Sequence, residues 1–401
     1  MEALLVLLLL GVALCCVSAE TEQRYRPFSS SSSSDDDGLC ALMLRPLGYP
    51  CSEHTVKTKD GFLLSVQRIP HGKDALNVTG PPVFLQHGLF QGGDTWFVNS
   101  AEESLGFILA DRGFDVWVGN VRGTRWSHGH VTLSVHDREF WDWSWQDLAQ
   151  NDMVDMLSYV YTKTNSKVLF VGHSQGTIMG FAAFTVPDTV KMIEAAALLT
   201  PISYLDHITS RFALRAVKVH LDQMLLTLGI HQLNFRSDIG VQIIDSLCDG
   251  HMDCSNLLSV ITGTNCCFNR SRVEYYLEYE PHPSSTKNLN HLFQMIRKGT
   301  FAKYDYGLWG NLKRYGSLHP PAFDLQDIPE SLPLWMGYGG TDDLADVTDV
   351  KRTIKELRSE PELLYVDHYG HLDFIMGTDA NTEVYDNLIN FFQSRGQYRS
   401  Y

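Results

Sequence analysis

Short apolar runs alternate with helix-like stretches through the first half of the chain, and this alternation most constrains the fold. PVFLQ (82–86), FDVWV (114–118) and KVLFV (167–171) read as strands buried on both faces. FLLSVQRI (62–69) reads as an earlier strand with partial alternation. Between 82–86 and 114–118, SAEESLGFILADRG carries Ser100 and Glu103 at capping-box spacing and ends at Gly113, where a helix C-cap belongs. Between 114–118 and 167–171, SWQDLAQNDMVDMLSYVYTK starts at Ser144 and places Leu148, Met153, Met156, Leu157 and Val160 at helical spacing. Strands alternating with helices predict right-handed crossovers and a doubly wound, mostly parallel α/β sheet.

The pattern changes after EAAALLT (194–200), another core strand. Residues 203–320 are helix-rich without strand–helix alternation, and strand signals return at PLWMGYGG (333–340) and LLYVD (363–367). The expected organisation is a core in two parts, 40–202 and 321–401, with 203–320 inserted as a helical cap or lid. RFALRAVKVHLDQMLLTLGI (211–230) is amphipathic; it either buries one face in the cap or contributes to a groove or lid. Phe140, Trp141, Trp143 and Trp145 read as packing under that cap, with lipid binding as the other reading.

MEALLVLLLLGVALCCVSAE reads as a secretory signal peptide over 1–19, with a short membrane anchor as the other reading. A Ser/Asp-rich leader follows over 20–39. No later run is long enough to span a bilayer. A formal charge of −15 makes nucleic acid a poor partner, while 16 histidines would offset most of that charge in an acidic compartment. Secretion predicts disulfides among Cys40, Cys51, Cys248, Cys254, Cys266 and Cys267. Cys40 and Cys51 are expected to pair. Adjacent Cys266 and Cys267 are expected to pair outward. CxxC spacing is absent, and His128 with His130 is a weak pair, so no metal is expected. Asn77 and Asn269 begin glycosylation sequons. The expected destination is outside the cell or a vacuole or lysosome. No oligomeric state is assigned.

VLFVGHSQGTIMG (168–180) places Ser174 between Gly172 and Gly176, after a buried strand and before a helix. This is the nucleophile-elbow pattern: the central residue is strained, and side chains two positions away would collide. A serine hydroxyl needs a base, and the base needs an orienting acid. In this fold those follow in the order Ser, Asp or Glu, His. YGGTDDLAD offers Asp342, with Asp343 and Asp346 as rivals; VDHYGHLDFI offers His371, with His368 as rival. The tetrahedral oxyanion needs preorganised N–H donors. Gln175 supplies one, and Leu89 in the glycine-rich LQHGLFQGGDTW is the natural second.

The chain resembles the acid lipase family, which includes lysosomal acid and gastric lipases and plant relatives. The matching pieces are HGL (87–89), GNVRGTRWSHGH (119–130), FWDWSWQDLAQNDM (140–153), GHSQG (172–176), GGTDDLAD (339–346) and HLDFI (371–375), with NCCFN (265–269) most like the plant branch. The resemblance implies an α/β-hydrolase core, a helical cap with a movable lid, and hydrolysis of triacylglycerol or related neutral-lipid esters at a lipid–water interface without a cofactor. It carries the nucleophile onto Ser174, the acid onto Asp342 and the base onto His371, with oxyanion donors at Leu89 and Gln175. Asp343 stands where relatives often have an apolar or aromatic residue. Three other functions use the same parts: an acyltransferase, an esterase for small esters, and a silent lipid-binding protein.

Overall fold

The computed structural model describes residues 38–74, 79–235, 237 and 261–395. The signal segment, Asn77, Cys248 and Cys254 lie outside the described residues, as does the leader to residue 37. The main strands are β1 (Ser52–Lys57), β2 (Phe62–Ile69), β3 (Pro82–Gln86), β4 (Asp115–Gly119), β5 (Val168–His173), β6 (Ile193–Leu199), β7 (Leu334–Gly339) and β8 (Glu362–Val366). Their spatial order is β1-β2-β4-β3-β5-β6-β7-β8. β2 pairs antiparallel with β1 and β4. All neighbours from β4 to β8 run parallel. The sheet is therefore doubly wound and mostly parallel.

Alternate residues of the central strands serve opposite faces. Phe84, Trp117 and Phe170 pack in one core with Met156, Leu157 and Met179. Val83, Val116, Leu169 and Val171 pack in the other with Phe107, Leu388 and Phe392. Each such side chain contributes about 1.5–3 kcal/mol on burial. Both faces are covered, which is why these strands read as unbroken apolar runs.

The main helices are α1 (Leu105–Asp111), α2 (Trp145–Asp147, continuing through a π turn Leu148–Met153 into Val154–Thr164), α3 (Gln175–Phe184), α4 (Arg211–Lys218), α5 (Leu221–Thr227), α6 (Val273–Tyr279), α7 (Thr286–Lys298), α8 (Leu308–Tyr315), α9 (Val347–Glu356) and α10 (Asp386–Arg395). Ser144 and Asp147 make a capping box at the start of α2. Ser100 does not cap α1: Ser104 N–H donates to Ser100 O (2.9 Å), closing a turn, and Ser104 takes the N-cap position. Gly113 follows α1 in the left-handed region (φ 87°).

Helices α4 to α8 lie between β6 and β7. The amphipathic run 211–230 is broken rather than continuous. His220 adopts a left-handed conformation (φ 52°) and separates α4 from α5. Their apolar faces meet Phe293 of α7 in a small separate cluster. Trp145 stacks on His291 of α7 (4.3 Å) and so packs beneath the inserted helices, and the Ser285 hydroxyl just before α7 donates to Trp141 O (2.6 Å).

Cys40 and Cys51 are bonded, tying the residues before β1 to its start. The expectation for the other visible pair is corrected: Cys266 and Cys267 bond to each other, not outward. Asp373 accounts for the local geometry. Its carboxylate accepts N–H bonds from both cysteines (3.0 Å each), bending the chain tightly around one anion.

Candidate active site

The register of the sheet assembles the site. Gln86 lies opposite Gly172, His173 opposite Leu199, and Gly339 opposite Val366. The loops that leave β3, β5, β7 and β8 therefore emerge at one sheet edge.

β5 ends at a tight turn into α3. Ser174 sits there at φ 54°, ψ −119°, a costly conformation for any residue with a Cβ. The flanking glycines make room. A Cβ on Gly172 would stand 3.0 Å from the Gly176 carbonyl, and one on Gly176 only 2.4 Å from Gln86 O. The turn is further held by Ser174 N–H donating to Leu199 O (3.1 Å) and by the Thr177 hydroxyl donating to Ser174 O (2.6 Å).

Ser174, His371 and Asp342 form one hydrogen-bonded line. Ser174 Oγ lies 2.7 Å from His371 Nε2. His371 Nδ1 lies 2.9 Å and 3.0 Å from the two oxygens of Asp342. All three residues are buried. Asp342 Oδ1 also accepts from Leu344 N and Ala345 N (2.8 Å each), which fixes the carboxylate. With Nδ1–H directed at a carboxylate, Nε2 presents its lone pair to the serine hydroxyl.

The rivals have other partners. Asp343 accepts from the Thr209 hydroxyl (2.5 Å) and receives Thr209 N–H on its carbonyl, tying β7's loop to the inserted segment. Asp346 caps α9 through Thr348 N–H (2.6 Å). His368 packs its ring edge-on to Tyr369. His128 and His130 contact separate carbonyls, Gly123 O and Asp60 O.

Leu89 and Gln175 both line the cavity above Ser174. Gln175 is the first residue of α3, where a backbone N–H has no partner within its own helix. Gly88 lets the β3 loop approach, since a Cβ there would stand 3.0 Å from Ser174 Cβ. Gln91 Oε1 accepts from Gly88 N–H (2.9 Å) and braces this loop. His87 is a neutral strut: Nδ1–H donates to Gly88 O (2.8 Å), and Nε2 accepts from Val121 N–H (3.2 Å). Burial pushes its pKa down to about 4.

Sequence reasoning missed several supporting residues. Asp373 also accepts from Gly370 N–H (2.7 Å), so one carboxylate braces the segment before His371 and the Cys266–Cys267 turn. Asn265 accepts from Leu372 N–H (2.9 Å). Asn288 of α7 donates to Gln175 Oε1 (2.9 Å), linking the inserted helices to the elbow. His173 donates from Nε2 to His371 O (3.1 Å), and burial holds it far toward the neutral form. Asp373 and His173 carried a positional signal, two residues after His371 and one before Ser174; nothing in the sequence points from Asn265 or Asn288 to their partners, which are far away along the chain.

Ser174 and His371 open into a cavity of about 260 Å³. Its walls are almost wholly apolar. Ile202, Leu205 and Ile208 come from the segment after β6, Phe212 and Ala216 from α4, and Leu289, Leu292 and Phe293 from α7. An activated hydroxyl at the floor of such a space suits a carbonyl carrying a long apolar tail.

Comparison with known proteins agrees with this architecture. Residues 81–378 match the model of the alpha/beta hydrolase fold, and residues 40–100 match a partial alpha/beta-hydrolase lipase region. Triacylglycerol lipase 1 of Arabidopsis thaliana is 62% identical over 359 residues, covering 90% of this chain and 91% of the relative. The chain belongs to the acid lipase family of α/β-hydrolases. Lysosomal acid lipase/cholesteryl ester hydrolase of Homo sapiens is 36% identical over 355 residues, covering 86% and 88%. Among solved structures, a soluble variant of monoglyceride lipase from Saccharomyces cerevisiae superposes with a TM-score of 0.56 at 13% identity, covering 86% of this chain and 95% of that one, a likeness of fold.

Proposed function

We propose that this chain hydrolyses carboxylic esters of neutral lipids, triacylglycerol among them, through an acyl-enzyme on Ser174. The observation that carries the reading is the Ser174–His371–Asp342 line at the floor of an apolar cavity. The names of the relatives, triacylglycerol lipases and a cholesteryl ester hydrolase, support the substrate class.

His371 Nε2 takes the Ser174 proton as Oγ attacks the ester carbonyl. Asp342 holds the ring in the tautomer that leaves Nε2 free and stabilises the imidazolium that forms. Backbone N–H groups of Leu89 and Gln175 receive the oxyanion, a contribution of about 3–4 kcal/mol per donor in related chemistry. The imidazolium protonates the departing alkoxide. Water, activated by the same imidazole, then releases the fatty acid. No metal or cofactor takes part.

The domain reading follows: residues 40–202 and 321–401 make the catalytic core, and 203–320 make a cap whose α4 and α7 form the acyl-chain walls. The signal-like segment, the Cys40–Cys51 bond and the lysosomal relative support passage through the secretory route to the exterior or an acidic compartment. Among the described residues, no helix is long and apolar enough to cross a membrane. The test is Ser174→Ala. Hydrolysis of a soluble ester must vanish while folding is kept; retained turnover would remove Ser174 from the mechanism.

A further inference from the structure

Helix α8 is built inside out. Its buried residue is polar: Asn311 accepts from Tyr306 N–H (2.9 Å) and donates to Asp305 (2.7 Å) and Leu318 O (3.1 Å). Its large apolar residues face water. Leu308, Trp309 and Leu312 are 57%, 81% and 43% exposed, and Trp309 is the most exposed large apolar side chain among the described residues. At helical spacing these three fall within an arc of about 100°. A lone exposed leucine is ordinary, but three on one short helix with a polar anchor beneath are not.

The surroundings are basic. Residues 297–323 hold five Lys and Arg against one Asp, on a chain of formal charge −15; Arg297 and Lys298 are paired with Asp222 and Asp305, so the basic excess at α8 rests on Lys303, Lys313 and Arg314. Lys313 and Arg314 are exposed in the last turn of α8, and Arg314 lies over the Tyr306 ring (4.1 Å). Tyr306, just before α8, and Tyr315, its last residue, pack ring to ring (6.0 Å). The patch is not the cavity mouth. Leu289, Leu292, Phe293 and Ile296 of α7 line the cavity. Gln294 and His291 of the same helix instead bind the backbone of Asp305 and Ala302, before α8. The segment leading to α8 therefore lies along the flank of α7 away from the acyl-chain walls.

We propose that α8 anchors the protein to an anionic lipid surface, apart from the site that receives the reacting ester. Trp309, Leu308 and Leu312 enter the headgroup boundary while Lys313 and Arg314 meet lipid phosphates. Charge favours this occupant over a second copy, because a two-fold contact through α8 would set the basic side chains of the two copies against each other. The purpose of the anchor rests on the lipid-ester reading; the binding itself does not.

The test uses full-length Ser174→Ala protein, so no turnover intervenes, sedimented with phosphatidylcholine vesicles lacking or containing phosphatidylglycerol. Binding is expected to require phosphatidylglycerol and to weaken with salt. Combining Leu308→Ser, Trp309→Ser and Leu312→Ser is expected to weaken it by about tenfold or more. Lys313→Gln with Arg314→Gln is expected to abolish the preference for phosphatidylglycerol. Placed in active protein, the same changes leave soluble-ester hydrolysis unaltered, which also checks folding. Equal binding by the apolar variant, or binding indifferent to phosphatidylglycerol, overturns the proposal. So does a change in oligomeric state without a change in vesicle binding, which would make α8 a contact between copies. Failure of Ser174-dependent hydrolysis would leave the vesicle result standing.

Discussion

Gly176→Ala and Gly180→Ala add the same methyl group to α3, one turn apart, and should have very unequal consequences. At Gly176 the new Cβ would stand 2.4 Å from Gln86 O and 2.9 Å from His87 O, both main-chain atoms at the end of β3. Ordinary contact begins near 3.4 Å, so α3 must move by roughly 1 Å from the sheet edge, at a cost of about 1–3 kcal/mol. That movement carries Ser174 and the Gln175 N–H with it, and displacement on this scale costs about 10²-fold in rate. At Gly180 the nearest atom is a Phe170 ring carbon at 3.1 Å, so a side chain rather than the main chain must give, and only by a few tenths of an ångström. The assay is kcat/KM on a soluble short-chain ester, with urea unfolding of each variant. Gly176→Ala should lose about 10²-fold in kcat/KM while remaining folded, and Gly180→Ala should stay within about threefold of wild type. Equal activity of the two variants would refute the steric account of the elbow.

Further outcomes follow from the same geometry. Asp342→Asn should lower kcat by about 10⁴-fold by stabilising the wrong imidazole tautomer, whereas Asp343→Asn should leave the rate on a soluble ester nearly intact; the reverse ranking would reassign the acid. Asp373→Ala strands three N–H groups around His371 and should cost about 3 kcal/mol in urea unfolding, together with a fall in kcat; unchanged stability would remove its bracing role. His87 is neutral when folded with a pKa of about 4, against about 6.5 unfolded. Its contribution is thus present above about pH 6.5 and is lost as pH falls toward 4, by about 3 kcal/mol at most. The urea midpoint should therefore drop across that window, and a rise on acidification would contradict the neutral strut.

The legible parts of the fold were those with a local cause. β3, β4 and β5 read as unbroken apolar runs because both sheet faces are covered. Ser174 was legible because its strain must be relieved by glycines at fixed offsets. β1 was not, since SEHTVK is polar and gains its place from pairing with β2 and the adjacent disulfide. The break at His220 was hidden because apolar spacing continues across it. The Cys266–Cys267 bond is hidden from local pattern because its cause, Asp373, lies more than 100 residues downstream. Asn288 and Asn265 support the site through contacts 113 and 107 residues distant in sequence, which no local pattern encodes.

The central claim is that Ser174 cleaves esters of long apolar acids delivered into the cavity. The most direct measurement is fatty-acid release from a long-chain triacylglycerol emulsion, from acidic to neutral pH, by secreted wild type beside Ser174→Ala. The account predicts release by wild type and none by the variant. Cleavage confined to soluble short esters would contradict it, because the apolar walls would then hold no lipid chain.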